Sequence, residues 1–139
     1  MSAEADCIFC QIVAGELPGA IVDSDERTVS FMDINPATPG HALVVPRTHA
    51  ADLMAISDED LEACTLAARR LARRMDEALA PAGFNVLNSC GTAAWQTVFH
   101  FHMHVVPRYA DDPLKLPWIP GPGEPGAIAE VAARIRGDG

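Results

Sequence analysis

Residues 98–108 read VFHFHMHVVPR, in which His100, His102 and His104 alternate with Phe99, Phe101, Met103 and Val105. Successive side chains of a strand point to opposite faces. A strand over residues 98–106 therefore puts all three imidazoles on one face, with the aromatic and aliphatic residues packed into a core behind them. Neighbouring histidines on that face lie about 6.5–7 Å apart, at a rise of about 3.3 Å per residue. A single histidine is ordinarily a core or surface residue, but three backed by an unbroken apolar face point to chemistry. Alternating imidazoles can ligate a catalytic zinc that keeps an open position for water. Alternatively, one imidazole is a nucleophile and another a proton or phosphate-oxygen donor. Histidine suits both acts because it titrates near neutrality and has two distinct nitrogens.

Cys7-x-x-Cys10 is the second chemical signal. In a reducing compartment such a pair is more often a metal or redox device than a structural bridge. A thioredoxin-like motif needs a strand before it, and only six residues precede Cys7. Two free buried thiols are the plainer alternative. Cys64 falls on a helical stripe and belongs to the core, and Cys90 has no assigned role.

The elements that must position these residues are short strands around one long helix. Residues 8–13 (IFCQIV) form a brief apolar run that Gly15 and Pro18 break. Ala20–Val22 and Thr28–Met32 flank a turn at Asp23–Glu26, and the second run has the period of two of a half-buried strand. His41–Val45 is a buried-strand candidate ending at Pro46. Ser57 caps a helix whose apolar stripe is Leu61, Cys64, Ala68, Leu71, Met75 and Leu79. Arg69, Arg70, Arg73 and Arg74 lie off that stripe and read as a solvated face, and Pro81 and Gly83 end the helix. Phe84–Leu87 resumes extended structure, Asn88–Ala93 is a loop, and Val98–Val106 is the clearest strand. Pro117–Gly126 is a proline- and glycine-rich connector, and Ile128, Val131 and Ile135 are spaced for a short closing helix. Leu114, Leu116, Trp118 and Ile119 are expected to dock, either on their own domain or across a dimer, rather than stay in water. The pattern predicts an α+β domain with an antiparallel sheet of about five strands.

The chain has 139 residues, 49% of them hydrophobic, which fits one globular domain spanning 1–139. Its formal net charge of −9 argues against nucleic acid or an anionic membrane surface as the main partner, but a small phosphate is held by local donors. The acidic start Met1–Asp6 lacks the features of a secretion signal, and no apolar run approaches the ~20 residues of a membrane span. A cytoplasmic protein is expected.

His-x-His-x-His followed by Val105-Val106, with Gln96-Thr97-Val98 before it and Pro107-Arg108 after it, resembles the histidine triad (HIT) family of nucleotide hydrolases and transferases. The resemblance extends over CIFCQIVAGELP at 7–18, FMDINPATPGHALVVPRTH at 31–49 and the Asn88–Arg108 segment. The flanks are similar to the small bacterial HINT branch. His104 at the third position separates this chain from the uridylyltransferase branch, which usually has glutamine there.

The resemblance implies a division of labour. His102 would attack the α-phosphorus of a nucleoside 5′-phosphate derivative, purine-preferring, to give a nucleotidyl-histidine that water hydrolyses. His104 would help the leaving group depart, and His41 would orient the catalytic group. Gln96 and Thr97, beside Val98, would hold phosphate oxygens. Asp33 would accept from the ribose hydroxyls, with Asn88 near the sugar and phosphate. Ile8, Phe9, Phe31, Ile34 and Leu43 would form the base pocket. In zinc-carrying members the ligands correspond to Cys7, Cys10, His49 and His100, a set suited to a structural Zn2+. The HINT branch also implies a homodimer whose sheets join across the two-fold axis. Many relatives have glycine just before the glutamine, whereas this chain has Trp95, which bears on leaving-group size. Two other readings stay open: a nucleotide-binding module with negligible turnover, and a metallohydrolase using the histidine strand.

Overall fold

Residues 4–138 are described by a computed structural model; Met1–Ala3, within the acidic start, and Gly139 lie outside the described residues. Along the chain run α1 (Ile8–Val13), β1 (Ile21–Ser24), β2 (Thr28–Met32), β3 (Ala42–Pro46) and α2 (Asp58–Leu79). They are followed by β4 (Gly83–Leu87), a 3-10 turn (Thr92–Ala94), β5 (Met103–Arg108) and α3 (Pro125–Arg136). The strands form one antiparallel sheet in the order β1-β2-β3-β5-β4. This is the α+β, five-stranded architecture the sequence predicts.

β3 is buried throughout, which is why it reads as a continuous apolar run rather than an alternation. Ala42 and Val44 pack on one face with Cys64, Ala67, Ala68, Leu71 and Met75 of α2 and with Val105 of β5. Leu43 and Val45 pack on the other with Phe9 and Ile12 of α1 and Val29 and Phe31 of β2. The sheet thus has helices on both faces, a long one behind and one short turn of helix in front. Ser57 caps α2 as expected, its hydroxyl accepting from the Asp60 N–H at 3.1 Å.

Two of the four α2 arginines depart from the solvated-face reading. Arg70 donates to Asp23 at 2.8 Å and to Asp25 at 2.9 Å. Arg74 donates to the Val22 carbonyl at 2.8 Å. Both therefore hook the β1–β2 hairpin onto the helix.

The histidine segment is the larger departure. The strand begins at Met103, not Val98, because the backbone of residues 98–102 is committed to loops. The Phe101 N–H bonds Ala50 O at 2.7 Å, and Val98 O and His102 O accept from the side chains of Gln96 and Asn88. Nor is the apolar face unbroken: Phe101 is buried, but Phe99 is 47% exposed. At the other end β5 runs through Pro107 to Arg108. β3 pairs with β5 only as far as Val105, so the proline lies beyond that ladder.

The tail does not close over its own domain. α3 forms from local signals, with Glu124 capping the Gly126 and Ala127 N–H groups and Pro125 opening the first turn. Yet none of its residues is buried, and Ile128, Val131 and Ile135 are exposed together with Leu116, Trp118 and Ile119. The expectation that these side chains dock is not met within one chain.

Gly40, between the Asn35-Pro36 loop and β3, has φ +96, and a Cβ there would lie 2.6 Å from Leu79 and 3.0 Å from Pro107. Gly15, after α1, has a similar φ of +79 with nothing within 4 Å. Gly15→Ala should therefore cost only the left-handed backbone, about 1–2 kcal/mol. Gly40→Ala adds a close contact with buried Pro107, while the exposed end of Leu79 can turn away, about 1 kcal/mol more. Urea unfolding of the two variants checks this; equal losses would show that the packing around Gly40 yields.

Candidate active site

Three imidazoles, buried at His41 and His102 and half-buried at His104, have their protons assigned by backbone groups that cannot change role. His102 Nδ1 lies 2.8 Å from the carbonyl of His100. A carbonyl only accepts, so Nδ1 carries the hydrogen and Nε2 keeps its lone pair. His41 Nδ1 lies 3.0 Å from the Ala37 N–H. A backbone N–H only donates, so the His41 hydrogen sits on Nε2, which is 2.9 Å from His104 Nδ1. That in turn leaves the His104 hydrogen on Nε2. A bare nucleophilic nitrogen on His102 and an N–H donor on His104 result, with ring centroids 4.9 Å apart.

The fold positions these rings in sequence. His104 stands on β5 between Leu43 of β3 and Leu87 of β4. His102 precedes the strand, braced edge-on by Phe9 at 5.1 Å. Asn88, just past β4, donates to His102 O at 2.9 Å, and its own side-chain oxygen is buried without a partner among the described residues. Asp33 Oδ2 lies 3.5 Å from His41 Nε2, while Oδ1 accepts from the Asn35 N–H. The carboxylate read as a ribose acceptor therefore also faces the histidine pair.

The proposed base-pocket residues divide. Phe9, Phe31 and Leu43 are buried in one cluster, with half-buried Val98 against it. Ile8 is largely exposed and Ile34 is 90% exposed, which leaves them as rim rather than wall. Thr97 is exposed beside the triad. The Gln96 side chain is engaged by the backbone of its own loop and of Ala51. Its side-chain amide donates to Ala51 O and Val98 O and its oxygen accepts from the Gly91 N–H. Both amide hydrogens are spent on the backbone, so Gln96 holds the loop instead of offering a donor to phosphate.

His100 shares the motif but not the site. Its Nε2 lies 2.8 Å from Pro46 O, which puts the hydrogen there and turns the Nδ1 lone pair toward sulfur. Cys7 Sγ is 3.3 Å and Cys10 Sγ 3.4 Å from that nitrogen, and His49 Nδ1 is 3.4 Å from Cys10 Sγ. The four ligand atoms lie within 4.8 Å of one another. A tetrahedral zinc with usual bond lengths puts sulfur and nitrogen about 3.5 Å apart. The donor set therefore fits the ion. None of the pinning backbone groups (Ala37 N–H, Pro46 O, His100 O) has a side-chain signature, so the sequence alone could not show them.

The HIT domain family model matches residues 14–111. The chain is 42% identical over 109 residues to protein hit of Bacillus subtilis, covering 78% of this chain and 75% of that one. It is 34% identical over 130 residues to adenosine 5′-monophosphoramidase hnt1 of Schizosaccharomyces pombe, covering 93% and 95%. A solved zinc-bound histidine triad family protein from Mycobacterium smegmatis matches with a TM-score of 0.76 and 38% identity, covering 96% and 98%. The fold and these matches define the class: the chain belongs to the histidine triad (HIT) family. Among the described residues no helix is long and apolar enough to cross a membrane.

Burial lowers the pKa of His41 and His102 and brings His104 to about 4, with its histidine neighbours adding to the effect. All three are neutral at pH 7, whereas in the unfolded chain they titrate near 6.5. As the pH falls the unfolded chain binds protons first, so stability is full above about 6.5 and is lost down to about 4. The melting temperature should fall across that window. His104→Asn should flatten the slope, and a slope unchanged in that variant would remove the histidine cluster as its cause.

Proposed function

We propose that this protein hydrolyses nucleoside 5′-phosphoramidates or related AMP- and GMP-type conjugates at the α-phosphorus, through a nucleotidyl group on His102. The observation that carries the reading is the fixed pairing of a bare His102 Nε2 with an N–H on His104 Nε2. The adenosine monophosphoramidase activity named for the S. pombe relative agrees with it. The buried Phe9, Phe31 and Leu43 cluster supports a base nearby, and Asp33 suits a ribose diol.

The proton balance follows from the same contacts. An anionic phosphate beside the His41–His104 pair, together with Asp33, favours one extra proton on that pair, taken at His104 Nδ1 as the His41 Nε2–H turns to Asp33 Oδ2, 3.5 Å away. His102 Nε2 attacks phosphorus, the bond to the leaving nitrogen breaks, and that nitrogen takes the extra proton and departs as an amine. The pair is left neutral, and His102 keeps its Nδ1–H on the His100 carbonyl as an imidazolium. Water then attacks phosphorus and gives a proton back to the pair while the bond to Nε2 breaks. Thr97 and Asn88 remain the candidates for holding phosphate.

Zinc would be held by Cys7, Cys10, His49 and His100, where it supplies a structural tie between the chain start and two later segments. The metallohydrolase alternative is less well supported. Asp33, His41 and His104 also come within 4.8 Å of one another. A metal on His41 Nε2 would need a second lone pair on a ring whose Nδ1 already accepts from Ala37.

The same reading includes a homodimer. β4 ends the sheet with an open edge carrying exposed Val86 and Leu87, and the bare apolar side of α3 calls for a cover that one chain does not provide. Free thiols at Cys7, Cys10, Cys64 and Cys90 suit the cytoplasm. The charge of −9 favours neither nucleic acid nor an anionic membrane as partner.

His102→Asn should lower turnover of adenosine 5′-phosphoramidate by roughly a thousandfold or more while AMP still binds. Rapid quench of the wild type should trap a nucleotidyl group on His102. An active variant would sink the mechanism, and a wild type that binds AMP without turnover would make the protein a binding module.

Elemental analysis of reductively purified protein should find about one zinc per chain. Cys7→Ser or Cys10→Ser should lose it and melt at lower temperature, and His102→Asn should retain it. Loss of zinc with His102 rather than with the cysteines would instead favour the metallohydrolase.

A further inference from the structure

Trp95 adopts φ 77 and ψ 18, a left-handed conformation that bulky L residues avoid. Glycine takes that conformation freely. The turn around it is closed from several directions. Trp95 N–H bonds Thr92 O, Ala94 N–H and Gln96 N–H both bond Gly91 O, and the buried Gln96 side chain ties Gly91 to Ala51 and Val98. The backbone is held in an unfavourable shape for a tryptophan, yet the indole does not contribute packing in return: the residue is 68% exposed. Strain retained on an exposed aromatic, in the loop that leads into the histidine segment, points to a ligand.

The sheet order says which part of a substrate that ligand would be. Most of the residues that suit a nucleoside, Phe9, Phe31, Asp33 and Leu43, come from α1, β2, the loop after β2 and β3, on one side of β5, while Asn88 and Val98 reach in from the other. The loop carrying Trp95 leaves β4, on the other side of β5, and returns to His100 and His102. With phosphorus at His102, the leaving group falls toward that loop. From Asn88 to Met103 the chain carries no lysine, arginine, aspartate or glutamate, and Phe99 is a second exposed aromatic there. This stretch has no cation for an anionic leaving group and no carboxylate for an ammonium. It suits a neutral ring that stacks.

We propose that Trp95 is a specificity-determining residue that favours conjugates whose leaving group carries a neutral planar aromatic ring. The proposal rests on the nucleotidyl-transfer reading above.

The test compares wild type, Trp95→Gly and Trp95→Phe on three substrates: adenosine 5′-phosphoramidate, its N-(2-phenylethyl) derivative and its N-(2-cyclohexylethyl) derivative. Glycine suits the φ at this position, so Trp95→Gly should melt no lower than wild type. The ratio of kcat/KM for the phenylethyl substrate over the unsubstituted one should fall about three- to tenfold in Trp95→Gly, and Trp95→Phe should restore most of it. The phenylethyl over cyclohexylethyl ratio should fall with it. An unmoved ratio would overturn the proposal while leaving the hydrolase reading intact, as would equal falls for phenylethyl and cyclohexylethyl, which mark mere greasy contact. A change in oligomeric mass in Trp95→Gly would also overturn it, because the indole would then be an interface contact. If wild type turns over none of the three substrates, the hydrolase reading itself fails.

Discussion

The carbonyl of His100 accepts from His102 at 2.8 Å, the Ala37 N–H donates to His41 at 3.0 Å, and Pro46 O accepts from His100 at 2.8 Å. Each is a backbone group that can only accept or only donate, so each removes one of the two tautomers open to a neutral imidazole. Four histidines on or near one sheet then cease to be equivalent. One keeps its Nε2 lone pair, one passes its hydrogen to a neighbour, one receives it and offers another, and one turns its lone pair toward two thiols. Burial keeps all of them uncharged at neutral pH, so this assignment is not blurred by a second proton on each ring.

The segment that carries three of these rings is a strand for only part of its length. If residues 98–102 continued the β5 ladder, their carbonyls and N–H groups would be consumed by neighbouring strands. Because the chain bends there instead, the His100 carbonyl is available to its own neighbour's ring, and Asn88 can reach the His102 carbonyl. The same bend lets His100 swing toward Cys7 and Cys10 while His104 stays in register between β3 and β4. One motif thereby contributes to two clusters, a Cys/His set whose ligand atoms lie within 4.8 Å of one another and a pair of imidazoles beside Phe9.

The far end of the chain follows a different logic. Glu124, Pro125 and Gly137 make α3 a well-capped helix without help from the domain. Its apolar side and the exposed Leu116, Trp118 and Ile119 are unsupported by anything in the same chain. Local capping decides that a helix exists; only a second surface decides where it rests. The arginines of α2 show the reverse case, since residues that look merely solvated on a helical wheel are drawn into ion pairs by the hairpin lying across them.

Much of this protein was legible in its residues. A period of two marked β2, an unbroken apolar run marked β3 and a period of 3.6 marked α2, Ser57 with Pro81 and Gly83 bounded the long helix, and the His-x-His-x-His run with Cys7 and Cys10 picked out side chains that the structure gathers into two clusters. These features are local, and local chemistry is written in consecutive side chains. What the tertiary structure alone decided were the roles. Gln96 reads as a phosphate donor until its amide is seen spent on Ala51, Val98 and Gly91. Which nitrogen of His41, His102 and His104 carries the hydrogen is open in the sequence until Ala37 and His100 assign it. Phe99 alternates like a core residue but finds no core beneath it. In each case the deciding partner is a backbone group or a surface distant in the chain, and neither leaves any mark on the side-chain pattern from which a sequence is read.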